Sequence, residues 1–170
     1  MPTAGIRRAV EADAPALLAL RQALFAETEF LLWEPGEFKD SVEDERARIV
    51  RLSGRPNSLC LVAESNAQLV GFLNAMGGQV NRQRHSTTLA LAVLRAHWGA
   101  GIAGALLAEV LAWSRQVGLS RVELTVHTTN FRAVALYLRA GFQVEGVRRR
   151  SLLVSGRYVD EYLMSVVHEA

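Results

Sequence analysis

The sequence predicts a single α/β domain in which helices cover the faces of a mixed sheet. Short apolar runs of strand length alternate with longer segments whose apolar residues recur at helical spacing. Two pairs of strand-like runs are separated only by tight turns, which predicts two antiparallel hairpins. One run is apolar on both faces and leads through a glycine-rich turn into a helix, which is typical of a central strand.

The first part of the chain predicts a strand followed by two helices. The strand covers residues 5–10, and Asp13 is placed to cap a helix whose leucines recur at helical spacing. Ser41 and Asp44 have the spacing of a capping box for a second helix, which runs through Arg51. A proline and a glycine break the pattern between the two helices.

A hairpin and a central strand follow. The hairpin consists of residues 58–64 and 68–75, joined by a tight turn at residues 65–67. After a polar loop at residues 79–84, the run at residues 89–93 is apolar on both faces. That run is the predicted central strand.

The second half predicts two more helices and three more strands. A helix over residues 101–116 ends at Gly118, and a strand over residues 121–126 follows. Asn130 is placed to begin the next helix and Gly141 to end it. The last two strands cover residues 142–154 and 157–166, and with no internal repeat or linker the prediction is one domain over residues 1–170.

Composition limits the possible functions. A chain of 170 residues, half of them hydrophobic, buries a sufficient core without a structural metal, and we predict no metal site. The formal charge of +2 and the scattered arginines, beside a single lysine at Lys39, do not favour nucleic acid as a partner. We expect Cys60 in the core. We also expect a cytoplasmic protein with no membrane partner, because no segment approaches about 20 consecutive apolar residues.

The glycine-rich stretch between the central strand and the next helix has the character of an anion site. It reads W-G-A-G-I-A-G over residues 98–104. Small residues let a pyrophosphate approach the backbone closely, and the free N–H groups at a helix N-terminus bind negative charge. Glycine spacing alone leaves a plain strand-to-helix turn equally open. The P-loop and dinucleotide-fold patterns are absent.

Two motifs in this sequence resemble those of the GNAT superfamily of N-acetyltransferases. Residues 93–107 are similar to its acyl-CoA motif, [QR]-x-x-G-x-[GA], with Trp98 in place of the usual Arg or Gln. Residues 130–142 match a second motif, N-x-x-A-x-x-L-Y-x-x-x-G-F. The resemblance implies the α/β (α+β) GNAT fold, a mostly antiparallel central sheet of about six to seven strands flanked by about four helices.

The resemblance also implies acetyl-CoA as the cofactor and assigns the residues that hold it. The predicted central strand would pair with the pantetheine arm, and Tyr137 would face the thioester sulfur as a neutral donor to the leaving thiolate. The cofactor-binding residues implied are Leu91, Ala92, Val93, Trp98, Gly99, Ala100, Gly101, Ile102, Ala103, Gly104, Ala105, Asn130, Ala133 and Tyr137.

Proton transfer from the amine has no obvious base in this sequence. Many superfamily members carry an acidic residue on the central strand where this chain has Thr88. His85, Glu123 and His127 are the candidates for the base, and a water chain with no dedicated base is the alternative.

Acceptor contacts are expected from the loop between the first two helices and from later loops. Segments of the second half resemble bacterial members that act on small molecules, which implies a small amine acceptor, with an L-amino acid as the best match. Arg82 or Arg84 would bind its carboxylate, whereas a polyamine would prefer Glu29 and Glu34. The predicted substrate-binding residues are Glu29, Phe30, Trp33, Arg82, Arg84 and Tyr158; the arginines at 148–150 are interpreted as a solvated strand edge.

Other functions stay open at this point. The acceptor loops carry no signature that separates an amino acid from a polyamine, a peptide N-terminus or an antibiotic. The missing acid at Thr88 leaves a non-catalytic acyl-CoA sensor as a further alternative, although Tyr137 favours catalysis. Apolar residues in the C-terminal hairpin would support a homodimer.

Overall fold

A computed structural model describes residues 4–169, which form one seven-stranded mixed sheet with four α-helices on its faces. The predicted fold class is confirmed; residues 1–3 and 170 of the predicted domain lie outside the described part. None of the helices in the described part is long and apolar enough to cross a bilayer. In chain order the elements are β1 (Gly5–Arg8), α1 (Ala14–Glu27), α2 (Val42–Ser53), β2 (Leu59–Ser65), β3 (Gln68–Gly77), β4 (Ser86–Val93), α3 (Ile102–Gln116), β5 (Arg121–His127), α4 (Phe131–Arg139), β6 (Gln143–Val154) and β7 (Arg157–Val167).

The strands lie in the order β1-β2-β3-β4-β5-β7-β6, and all neighbours are antiparallel except β4 and β5. One core, around Leu73, Leu106 and Leu124, lies on the face covered by α3. A second core joins α1 and α2 to the other face and includes Cys60, which is buried as predicted. Leu89, Leu91 and Val93 belong to the first core and Ala92 packs against the second, while Ala90 is exposed, so apolar side chains occur on both faces of β4.

The single parallel pair separates partway along its length. β4 and β5 pair only from Ser86 opposite Arg121 to Thr88 opposite Glu123. Beyond this point β4 continues beside β3 to Val93, and β5 continues beside β7 to His127. The two strands therefore diverge, and the sheet opens between them.

Local sequence signals fix the helix ends. Ser41 Oγ accepts from Asp44 N at 3.2 Å and Asp44 Oδ2 accepts from Ser41 N at 2.8 Å, which is the predicted capping box. Asp13 stands at the N-cap of α1, but its carboxylate binds Arg7 at 2.7 Å instead of the helix. Asn130 caps α4 as predicted, accepting from Ala133 N at 3.2 Å.

The β6–β7 hairpin is irregular, and its tip contacts the α1–α2 loop. Its register shifts between Arg148 and Leu152, where Arg150 has a φ of +51° and donates its N–H to Asp160 at 2.7 Å. At the tip, Ser155 Oγ donates to Glu29 Oε1 at 2.7 Å, which ties the hairpin to the α1–α2 loop. The hairpin exposes apolar side chains including Val147 and Leu153; the predicted homodimer stays a prediction.

Candidate active site

A cavity of about 740 Å³ occupies the opening between β4 and β5. Residues 89–93 of β4 form one wall and residues 125–127 of β5 form another. The first turn of α3, the inner side of α4, the end of α1 and the β6–β7 hairpin complete it. This volume is in the range of sites that hold a cofactor-sized ligand.

One end of the cavity is a row of unpaired backbone donors. Gly99 and Gly101 have φ values of +82° and +80°, a region that favours glycine, and they turn the chain into α3. The first hydrogen bond of that helix runs from Ala105 N to Gly101 O at 3.0 Å. Within residues 4–169, no N–H of residues 99–104 donates to a protein acceptor. These groups, with the helix dipole behind them, form a site for an anion such as a pyrophosphate.

Cationic side chains stand beside this row. Trp98 Nε1 donates to Val93 O at 2.7 Å, which fixes the indole at the end of β4. The guanidinium of Arg132 lies 4.8 Å from the centre of the indole ring and also lines the cavity. The indole therefore holds a cation near the unpaired N–H groups, where a guanidinium complements phosphate charge.

The middle of the cavity offers a free strand edge. Past Thr88, the side of β4 that faces β5 has no strand partner among the described residues. Leu91, Ala92 and Val93 line the cavity along this edge. An extended ligand with amide groups pairs with such an edge in the same way as an added strand.

Tyr137, on α4, lines the same cavity as the free edge of β4. The side chain is only 8% exposed, and its ring packs on Phe142 at 5.7 Å. Burial raises the pKa of Tyr137 to about 12, so the phenol is neutral at pH 7 and able to donate.

An imidazole and a carboxylate, those of His127 and Glu161, also line the cavity. His127, at the end of β5, is 5% exposed, and its ring meets that of Phe30 edge-on at 5.6 Å. Burial lowers the pKa of His127 below its usual value, and the nearby Glu161 carboxylate only partly opposes this. The imidazole is therefore neutral at pH 7 and able to accept a proton.

Comparison with known proteins adds independent evidence. The chain is 34% identical over 121 residues to the L-amino acid N-acetyltransferase AaaT of Escherichia coli K12, covering 69% of this chain and 73% of that protein. Residues 21–142 match the acetyltransferase (GNAT) family. The chain belongs to this family. The resemblance inferred from the two motifs is confirmed, and with it the prediction that the chain is an acetyltransferase.

Solved structures agree with the GNAT assignment. An acetyltransferase of the GNAT family from Streptococcus pneumoniae superposes with a TM-score of 0.94 at 29% identity, covering 97% of this chain and 99% of that one. The yncA protein of Salmonella typhimurium, solved with its cofactor acetyl-CoA, superposes with a TM-score of 0.86 at 20% identity, covering 98% and 96%. At that identity the second likeness shows the fold alone.

The GNAT fold brings most of the predicted cofactor residues to the cavity. Ala100 and Ala105 do not line it; both are exposed beside the glycine-rich turn. Those that do line it are Leu91, Ala92, Val93, Trp98, Gly99, Gly101, Ile102, Ala103, Gly104, Asn130, Ala133 and Tyr137.

Of the three candidate bases, the structure brings only His127 to the cavity. His85 is exposed at the start of β4, where its carbonyl accepts from Ser120 N at 3.0 Å. Glu123 accepts from Arg121 Nε at 2.6 Å and from Thr88 Oγ1 at 3.3 Å, where β4 and β5 are still paired. Both lie outside the cavity lining because the cavity opens only beyond the last β4–β5 pair.

Among the predicted acceptor residues, only Phe30 lines the cavity. Trp33 packs on Phe38 at 5.6 Å instead. Glu29 is occupied by the hairpin tip, and Tyr158 is 62% exposed beneath the guanidinium of Arg150. The other predicted contacts, Glu34, Arg82 and Arg84, are exposed and lie outside the lining.

Several residues of the lining are not predicted from the sequence. Arg148, interpreted as part of a solvated edge, is exposed but reaches the cavity; Arg149 and Arg150 do not. Glu161 and Ser151 also line it, as do Glu27, Arg132 and Arg139. The antiparallel pairing of β5 with β7 places Glu161 opposite His127, and the sequence predicts the β6–β7 hairpin but not this pairing.

Proposed function

We propose that this chain transfers the acetyl group of acetyl-CoA to the amine of a small molecule, and that the acceptor is an L-amino acid. The observation that carries the proposal is a continuous cavity. It connects the unpaired N–H groups of residues 99–104, the free edge of β4, the hydroxyl of Tyr137 and the imidazole of His127. The first three suit the phosphates, the amide-bearing arm and the thioester of the donor, and the last suits an amine.

The donor end is held by the backbone. In this proposal the N–H groups of residues 99–104 bind the pyrophosphate with help from Arg132, and Asn130 and Ala133 border it. Gly101 and Gly104 leave room for this, because a Cβ added at either meets no protein atom within 4 Å. Binding both substrates in attack geometry supplies the larger part of the rate, about 7–11 kcal/mol in favourable cases.

The reaction exchanges a carbon–sulfur bond for a carbon–nitrogen bond. His127 accepts a proton from the ammonium, the free amine attacks the thioester carbonyl, and the thiolate leaves toward Tyr137. A phenol with a pKa of about 12 is a weaker acid than a thiol, whose usual pKa is about 8.5. Tyr137 therefore stabilises the thiolate by a hydrogen bond. After the carbon–nitrogen bond has formed, the nitrogen loses a second proton, and that proton converts the thiolate to the free thiol.

The charges of the cavity favour an amino acid over a polyamine. Three arginines line it, Arg132, Arg139 and Arg148, against two carboxylates, Glu27 and Glu161. Glu27 is already engaged, since it accepts from Arg95 N at 2.9 Å. A polyamine would bring several cations into this surrounding, whereas an amino acid brings one cation and one anion. The AaaT relative supports the same acceptor class.

The test is release of free thiol from acetyl-CoA in the presence of L-amino acids, polyamines, aminoglycosides or short peptides, each compared with a reaction lacking the amine. Turnover with L-amino acids is the expected result. Turnover confined to another class would move the acceptor to that class. Tight binding of acetyl-CoA by calorimetry with no turnover across the panel would make the chain a sensor. A cytoplasmic location stays a prediction.

A further inference from the structure

Three polar side chains on neighbouring strands form a row in the lining of the cavity. Glu161 on β7 is directly opposite His127 on β5 and directly opposite Arg148 on β6. Residues directly opposite one another in antiparallel strands point to the same face of a sheet. All three side chains line the cavity, so an imidazole, a carboxylate and a guanidinium stand there in that order.

The carboxylate at the centre of the row is buried and already oriented. Glu161 is 7% exposed and accepts a hydrogen bond from the hydroxyl of Ser151. A carboxylate has about four acceptor positions, and this bond occupies one of them. Its ion pair with Arg148 Nη1 spans 3.6 Å, which is beyond hydrogen-bond distance, so the remaining acceptor positions of Glu161 are open to a second cation in the cavity.

The guanidinium of Arg148, at the end of the row, has N–H donors available to a ligand. Arg148 Nη1 lies 3.6 Å from Glu161 Oε2, which is longer than a hydrogen bond. The side chain is 59% exposed at the cavity mouth. The other two arginines of the lining, Arg132 and Arg139, belong to α4, so Arg148 is the one that the β6–β7 hairpin supplies.

We propose that this row recognises the two charges of a free α-amino acid, with Arg148 binding the α-carboxylate and Glu161 binding the α-ammonium beside His127. The inference rests on the proposed acetyl transfer and specifies its acceptor. An α-amino acid carries its opposite charges on groups separated by one carbon, and the row presents opposite charges 3.6 Å apart. An amide or a decarboxylated amine offers no carboxylate to Arg148, so the hydrogen bonds to that charged group are not formed.

The test uses three amines that differ only at the carboxyl group. Phe30 and Leu152 line the cavity near the row, so the probes have an apolar side chain: L-leucine, L-leucinamide and isopentylamine. Arg148→Gln is compared with Arg149→Gln, its neighbour outside the lining. Dividing the kcat/KM of each variant by that of the wild type for the same amine removes differences in amine basicity.

The proposal expects a loss that depends on the carboxylate. Arg148→Gln lowers kcat/KM for L-leucine by about 10- to 150-fold, mainly through KM, because a hydrogen bond to a charged group is lost. It changes the other two amines by less than about twofold, and Arg149→Gln leaves all three unchanged to that extent. Glu161→Gln lowers kcat/KM for all three, since all present an ammonium, while Glu109→Gln, exposed on α3, does not.

Two kinetic results overturn the inference. If Arg148→Gln slows all three amines equally, Arg148 has a structural role; if it slows none, Arg148 makes no contact. In both cases turnover by the wild type leaves the proposed acetyl transfer intact. If the wild type turns over no amine, that function fails, and binding decides the inference. Thermal stabilisation by L-leucine in the presence of coenzyme A that is larger for the wild type than for Arg148→Gln supports the row, and equal stabilisation overturns it.

Discussion

Replacing Tyr137 by Phe removes one hydroxyl and preserves the packing around it. The ring keeps its contact with Phe142 at 5.7 Å, and Tyr137 lines the cavity. We therefore expect the free energy of unfolding to change by less than about 0.5 kcal/mol. The hydrogen bond to the departing thiolate is worth about 1.5–3 kcal/mol, because its acceptor is charged. Its loss lowers kcat by about 10- to 150-fold.

The measurements are thiol release at saturating acetyl-CoA and amine, and urea denaturation of the same preparations. Tyr158→Phe is the matched control, since Tyr158 is 62% exposed and outside the cavity lining. Because burial raises the pKa of Tyr137 to about 12, loss of the phenol leaves the pH profile below pH 9 unchanged in shape. An unchanged kcat in Tyr137→Phe refutes the reasoning, as does a kcat loss that accompanies a large loss of stability.

Three further predictions follow from the same structure. Gly101→Ala, at a φ of +80°, lowers the free energy of unfolding by about 1–2 kcal/mol and weakens acetyl-CoA binding. Gly104→Ala, inside α3, is the control and does not lower the free energy of unfolding measured by denaturation. Burial lowers the pKa of His127, so the imidazole is protonated, and lost as a base, only below pH 6.5. We therefore expect kcat to fall with pH in that range. His127→Gln lowers kcat by about 10²–10⁴ and abolishes this fall at low pH. Glu45→Gln leaves buried Arg21, 3.0 Å away, without its counterion. It lowers the free energy of unfolding, measured by urea denaturation, by about 3–5 kcal/mol, and adding Arg21→Met to the same chain restores most of that stability.

Local signals in the sequence predict the fold and the donor end of the site well. Ser41, Asp44 and Asn130 act within one helical turn, so their capping roles can be read from spacing. The turn at Gly101 is equally local. The start of β4 at Ser86 was missed, because that predicted strand began at residue 89, after the polar residues Ser86, Thr87 and Thr88. These polar residues belong to the strand because they pair with β5.

The acceptor end depends on contacts between distant parts of the chain, which spacing does not show. His85 is close to Thr88 in sequence, but the cavity begins only at residue 89 of β4, beyond the part that pairs with β5, and His85 does not line it. The bulge after Arg148 changes which side chains of β6 face inward, so alternation alone does not place that arginine. Glu161 meets His127 only because β7 inserts between β5 and β6.

The central claim is acetyl transfer to an amine within this cavity. Its most direct test is mass spectrometry of the products after purified protein is incubated with acetyl-CoA and a mixture of L-amino acids. We expect N-acetylated amino acids to form in equal amount to the free coenzyme A thiol, and to be much reduced with His127→Gln. Thiol release without an acetylated amine, or no release at all, would contradict the account.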